Sequence, residues 1–225
     1  MCARTCARKI EMKNQLYVLI ACEESQAECL AFRELGYIAY SCDLQKCRRI
    51  GNPHFHIHGD CRPLLQGKTI FQTQDGEIQS VPRWDLIIAH PPCTYLCKVG
   101  SVWMMQDGKL NEERYAKMLD ARDFFLECLN AKANYVAVEN PLPQARAQLP
   151  PPSTFLQPSW FGVKYTKKTL YWLKNLPPIM PEVEYPNPKS FVSSSRGKYR
   201  SRTFSSVARA IAKQWSQYIL HDSRR

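Results

Sequence analysis

A chain of 225 residues with 44% hydrophobic content has the material for one sizeable globular core with at most a small appendage. No apolar run approaches the roughly 20 residues of a bilayer span, and residues 1–13 are polar and basic with no secretory pattern after them, so a soluble, cytoplasmic protein without a membrane partner is expected. Lys and Arg number 31 against 20 Asp and Glu, and the resulting net charge of +11 favours a polyanionic, phosphate-bearing partner.

Residues 1–14 form a basic lead-in with Arg4, Arg8, Lys9 and Lys13. Cys2 and Cys6 make a C-x3-C pair that lacks the second pair of a metal site. The chain has ten cysteines, but Cys22, Cys29, Cys42 and Cys128 fall inside expected helices and strands. They read as reduced thiols, most of them small core hydrophobes.

Leu16 to Ala21 is the first strand. Ser25 and Glu28 have capping-box spacing for a helix of about 10 residues that ends near Gly36. Tyr37 to Ser41 follows as a second strand finished by Cys42-Asp43, which completes a βαβ unit. Asp43 stands where nucleotide-binding Rossmann folds hold a ribose, and a solvated strand-end aspartate fits the same spacing. His54, His56 and His58 alternate like a strand between Cys47 and Cys61. Metal ligation and ordinary local hydrogen bonding both fit them, and no metal is assigned. Asp60, at the third strand end, reaches a bound adenine or caps a turn.

Lys68 to Arg83 reads as a loop or hairpin around Asp75-Gly76. Leu86 to Ala89 is short and unalternating, as suits a buried parallel strand. Pro91 and Pro92 end it, because they have no amide hydrogens to continue a ladder. Cys93 is thereby left in a stiff loop past a strand's carboxyl end, where open α/β sheets place ligands. Residues 98–110, with Trp103, Met104 and Met105, suit either packing or covering a planar ring. Asn111 caps a helix over 112–131 whose Tyr115, Met118, Leu119, Phe124, Phe125, Cys128 and Leu129 form a core stripe. Tyr135 to Val138 is a further strand that runs into Glu139-Asn140.

Eleven of the 16 prolines lie between Pro141 and Pro188, so this stretch is expected to hold loops and short extended pieces. Lys164 to Lys174 is a strand candidate led by cations. Arg196, Lys198, Arg200 and Arg202 lie in a Ser/Gly-rich loop whose composition suits phosphate binding or plain solvation. Phe204 to Leu220 is an amphipathic helix with Val207, Ala208, Ile211, Trp215 and Ile219 inward. The expected fold is α/β, with a Rossmann-like, mostly parallel sheet, helices on both faces and a Pro-rich irregular segment. The divisions are 1–14, a core at 15–140, a Pro-rich basic segment at 141–203 and a closing helix at 204–225.

Strand-Pro-Pro-Cys at 91–93 and strand-Glu-Asn at 139–140, after a Rossmann-type opening, resemble the cytosine-5 DNA methyltransferases that use S-adenosylmethionine. The chain is also similar to short methyltransferase-like proteins of bacteriophages and prophages. The resemblance implies that Cys93, in the Pro92-Cys93 pair, adds as a thiolate to cytosine carbon 6. Glu139 would assist at ring N3 and Asn140 would order its loop. For the cofactor, Asp43 would take the ribose and Asp60 the adenine amino group, with Glu23, Ser25 and Pro91 around the remainder. Lys167 and Lys168, or Arg200 and Arg202, are the candidates for an Arg-x-Arg motif, and with Arg196 and Lys198 they would contact nucleic acid. The chain departs from the family in having Cys22-Glu23-Glu24-Ser25 in place of a glycine-rich turn, Thr94 for glutamine and Pro141 for valine. A catalytically silent binding protein for nucleotides or nucleic acid, and an enzyme acting on a free nucleotide, are the alternatives.

Overall fold

The computed structural model describes residues 15–48, 51–191 and 203–222. Strand β1 (Tyr17–Ala21), helix α1 (Ala27–Glu34) and strand β2 (Ile38–Asp43) make the βαβ opening, with Tyr17 opposite Ile38 and Ala21 opposite Cys42. Strand β3 (His56–His58) lies parallel to β2. After a single turn, α2 (Arg62–Leu65), strands β4 (Ile70–Gln72) and β5 (Ile78–Ser80) form the hairpin around Asp75-Gly76. Strand β6 (Leu86–Ala89) then returns to the far side of β1.

A small hairpin of β7 (Met105–Gln106) and β8 (Lys109–Leu110) precedes helix α3 (Glu112–Leu129), and β9 (Tyr135–Asn140) pairs in parallel with β6. The proline-rich stretch supplies β10 (Thr154–Leu156), β11 (Tyr165–Thr166), β12 (Thr169–Lys174) and β13 (Lys189–Ser190), and α4 (Ser205–Asp222) follows. The central sheet has seven strands in the order β10-β12-β9-β6-β1-β2-β3. β12 is antiparallel to both β9 and β10 and is the one strand that runs against the rest. The order reverses between β1 and β6, and the carboxyl ends at such a switch point are where open α/β sheets bind ligands.

Because side chains alternate along a strand, each central strand feeds two cores. Leu19, Ala21, Ile87, Ala89, Val136 and Val138 pack with Met118, Phe125 and Cys128 of α3. Val18, Ile20, Leu86, Ile88 and Ala137 face the opposite way, against Phe32 of α1 and the inward stripe of α4, Val207, Ala208, Ile211, Trp215 and Ile219. The sheet therefore has helices on both faces, as its unalternating apolar strands require. All eight cysteines among the described residues are free thiols, and Cys29, Cys42 and Cys128 are core residues.

Several local expectations need correction. Ser25 does not cap α1 through a capping box: Gln26 occupies the N-cap position in a left-handed conformation, and the Glu23 carboxylate accepts from the Glu28 and Cys29 amides at 2.7 and 3.3 Å. The Glu23 carboxyl group presents one oxygen to each of the two amides, where a hydroxyl has a single oxygen to offer. His54 is not in the strand, because Pro53 starts a short 3-10 turn over 53–55 that the Asn52 side chain caps. Helix α3 stops at Leu129, where Asn130 donates its side-chain amide to the Leu126 carbonyl. The extended run at 164–174 is divided between β11 and β12, and β12 lies in the main sheet.

Candidate active site

A cleft of ≈ 600 Å³ opens at the carboxyl ends of β1, β2, β3 and β6. Its walls include Glu23, Ser25, Asp43, Asp60, Pro92 and Cys93, so the loops after four strands bring these candidates together. Asp43 ends β2, half-buried, and its carboxylate accepts from the Gln45 amide at 2.8 Å. Burial raises the Asp43 carboxyl against the pull of that amide. Asp60 is exposed past β3 and accepts from the Arg62 amide at 3.0 Å. Glu24 pairs with Arg48 through two charge-assisted bonds on the same wall.

The turn after β1 has no glycine, yet Cys22 and Gln26 take φ of 61° and 57°, the left-handed region that glycine enters freely. Gln26 holds its place by exchanging bonds with the Asn52 backbone, at 2.6 Å to its carbonyl oxygen and 3.0 Å from its amide nitrogen. Glu23 lines the cleft, and its carboxylate is already committed to the helix amides.

The second half of the site lies one strand over. β6 and β9 pair with Ala89 opposite Val138, which brings His90 abreast of Glu139. His90 Nδ1 is 3.2 Å from Glu139 Oε2, and His90 Nε2 is 3.2 Å from Glu28 Oε2. Asn140 is fully buried and donates from Nδ2 to the Pro91 carbonyl at 3.3 Å. The loop after Cys93 is tied to the loop after Asn140 in three further places: the Lys98 amide on the Leu142 carbonyl, the Gln144 amide on the Leu96 carbonyl, and Gln144 Nε2 on the Tyr95 carbonyl. Cys93 and Glu139 are thus carried on neighbouring strand ends whose loops are stitched to each other.

The charges of this group act on one another. Burial, then the nearby Cys97 and Glu139, push the Cys93 thiol up to about 11, against its own backbone amide and the Lys167 cation. Burial raises the Glu139 carboxyl, but the His90 hydrogen bond and charge, with Lys167, outweigh it and hold Glu139 below the ordinary carboxylate range. Burial alone would lower the His90 imidazole; Glu28 and the bonds to Glu139 and Glu28 reverse this and hold it well above its ordinary value. Because Glu139 and Cys93 repel as anions, a proton on Glu139 and a thiolate at Cys93 favour each other.

Lys167 sits beside this pair, close enough to act on both Cys93 and Glu139. Lys168 is exposed, with its ammonium 4.3 Å from the centre of the Phe155 ring. Arg196, Lys198, Arg200 and Arg202 lie outside the described residues. The three histidines of 54–58 go separate ways: His54 pairs with Asp75, His56 bonds Ser41 and the Gln45 carbonyl, and His58 meets the Leu44 carbonyl. Among the described residues no three His, Cys, Asp or Glu side chains gather as metal ligands. His90, Gln144 and Thr203 join the site without a sequence motif to announce them, and Glu28, which the sequence offers only as a capping-box residue, instead meets His90 and Thr203. Their one signal is that His90 is the last residue before Pro91-Pro92-Cys93.

No protein-family model matches the chain, and no curated protein sequence matches it. Among the described residues no helix is long and apolar enough to cross a membrane.

Proposed function

We propose that this chain transfers a methyl group from S-adenosylmethionine to carbon 5 of cytosine in DNA. The observation that carries the proposal is the convergence of Cys93 and Glu139 at the adjoining ends of β6 and β9, beside a cleft at the switch point. A cleft of ≈ 600 Å³ is within the roughly 300–1,000 Å³ of small-molecule sites. Its donor set also fits the cofactor: the Asp43 and Asp60 carboxylates suit a ribose diol and an exocyclic amine, and Phe124, Leu44 and Pro92 offer apolar contact to a flat ring. When bound, S-adenosylmethionine supplies an electrophilic methyl group.

The chain's own groups would do the rest. The Cys93 thiolate adds to carbon 6 of a cytosine turned out of its stack, while Glu139 gives a proton to N3, so the ring becomes an enamine nucleophilic at carbon 5. Loss of the carbon 5 proton to a solvent water in the open cleft would then break the carbon 6–sulfur bond and return the Cys93 thiolate. Asn140 and Gln144 hold the two loops together, and Lys167 offsets negative charge at the thiolate. The raised Cys93 pKa favours one second reading, a silent binding protein for nucleic acid or nucleotides.

Transfer of tritium from methyl-labelled S-adenosylmethionine to duplex DNA, single-stranded DNA and dCMP separates these readings. Wild type is expected to label DNA, and Cys93→Ser to abolish labelling while cofactor binding by calorimetry persists. Binding of DNA or nucleotide without transfer to any acceptor would instead establish the silent reading, and labelling of dCMP alone would move the substrate to the free nucleotide.

A further inference from the structure

His90 is the one described residue whose ring meets two carboxyl groups from different elements, Glu28 of α1 and Glu139 of β9, each at 3.2 Å. Glu28 is fully buried and takes a further bond from the Thr203 hydroxyl at 3.3 Å, so its orientation toward His90 is fixed. A neutral imidazole carries one N–H and can donate only once. Two bonds to two carboxyls therefore need two protons shared over three groups. Imidazolium between two carboxylates satisfies that count, and so does a neutral imidazole between a carboxylate and a protonated Glu139. The two arrangements differ only by a shift of one proton along the Nδ1···Oε2 bond, with no change in net charge.

We infer that His90 is a positioning residue that loads Glu139 with the proton it delivers to the substrate ring. The inference rests on the proposed methyl transfer and adds the source of the proton. In the forward step the proton on His90 Nδ1 passes to Glu139 Oε2, and the proton of the Glu139 carboxyl goes to cytosine N3. His90 is left neutral, with Nε2–H still donated to Glu28. When the thiolate is expelled, the N3 proton returns by the same path. With the charged His90 and Lys167 beside it Glu139 rests as the carboxylate although burial opposes this, so at rest the proton of the Nδ1···Oε2 bond belongs to His90.

The groups that face this relay are Glu28 of α1, Glu23 before α1, Glu139 of β9, Tyr171 of β12, and Lys167 and Cys93 beside Glu139. Glu23 and Glu28 are almost fully buried, and the relay is reached through the cleft that His90 lines.

Two measurements on the full chain test the inference. Nitrogen-15 NMR of the histidine rings should show both His90 nitrogens protonated well above the usual imidazole range near 6.5, with Glu28→Gln and Glu139→Gln each lowering that limit. In the transfer assay, His90→Gln should lose about 100-fold in kcat while keeping cofactor binding, and its alkaline limb should move to lower pH. Glu28→Gln keeps the ring and should move the same limb in the same direction. A His90 ring that titrates at its usual value in wild type, or a variant whose pH profile is merely scaled down, would overturn the relay. Failure of wild type to methylate any acceptor would instead overturn the proposed function, with the NMR titration still deciding the proton arrangement at His90.

Discussion

Asn140 places a fully buried amide between the loop of Cys93 and the strand of Glu139, through its bond to the Pro91 carbonyl. Asn140→Ala removes that tie and leaves a buried carbonyl without its donor, at a cost of about 1–3 kcal/mol. Transfer should fall at least about tenfold, the equivalent of 1.4 kcal/mol, with cofactor binding retained, in a side-by-side assay with wild type. Glu23 makes a pH-dependent contribution of a different kind. Burial and the charge of Glu28 push its carboxyl up to about 8, against His90 and the two helix amides. An acid whose pKa rises on folding binds its proton more tightly when folded. The stability it gives is complete below the ordinary carboxyl range near 4.3 and is lost as pH climbs through about 8. Glu23→Gln keeps an acceptor for α1 without that titration. Thermal unfolding should therefore show the melting difference moving in the variant's favour as pH is raised across that window. These residues were only partly legible in the sequence. Cys93 and Glu139 stand out because each follows a short apolar strand, whereas Glu28 and His90 are brought together from 62 positions apart, with nothing local to couple them.

At the scale of elements, strands β1, β2, β6 and β9 are legible because brief unalternating apolar runs fit only a sheet covered on both faces. Helix α4 is legible because its inward positions recur at helical spacing. The start of α1 was not, since a capping box and a carboxylate five residues before Glu28 compete for the same amides and only the three-dimensional turn decides between them. β12 was foreseeable as an extended run, but its partner was not: its antiparallel seat on β9, with Tyr171 opposite Glu139, follows a long proline-rich excursion. The loop between β6 and α3 has little room. A Cβ at Gly100 would stand 2.8 Å from the Thr94 carbonyl oxygen and 2.9 Å from the Arg114 guanidinium. Gly100→Ala must therefore shift the turn that bears Cys93. It is expected to cost about 1–3 kcal/mol in denaturant unfolding and to reduce transfer, while a variant that matches wild type in both would show that the loop yields freely.

The whole molecule combines a parallel-sheet scaffold with an excess of 11 positive charges. Charge of this sign and size raises the local concentration of a polyanion, and its effect weakens with salt. DNA affinity is expected to fall linearly on a log–log plot against salt, and replacing both Arg200 and Arg202 by glutamine should flatten the slope by about 2 if both contact phosphates. An unchanged slope would exclude them from the interface. The fold places the cleft and the Cys93–Glu139 pair at one end of the sheet because both the switch point and the β6–β9 register lie there. The central claim is that this thiol and this carboxyl act together on one ring, and DNA containing 5-fluorocytosine tests it most directly, because the fluorine blocks the final proton removal and leaves the thioether bond in place. With S-adenosylmethionine present, wild type should form a denaturation-resistant adduct that mass spectrometry locates on Cys93, and Glu139→Gln should form far less of it. An adduct on another residue, or equal trapping in the Glu139→Gln variant, would contradict the account.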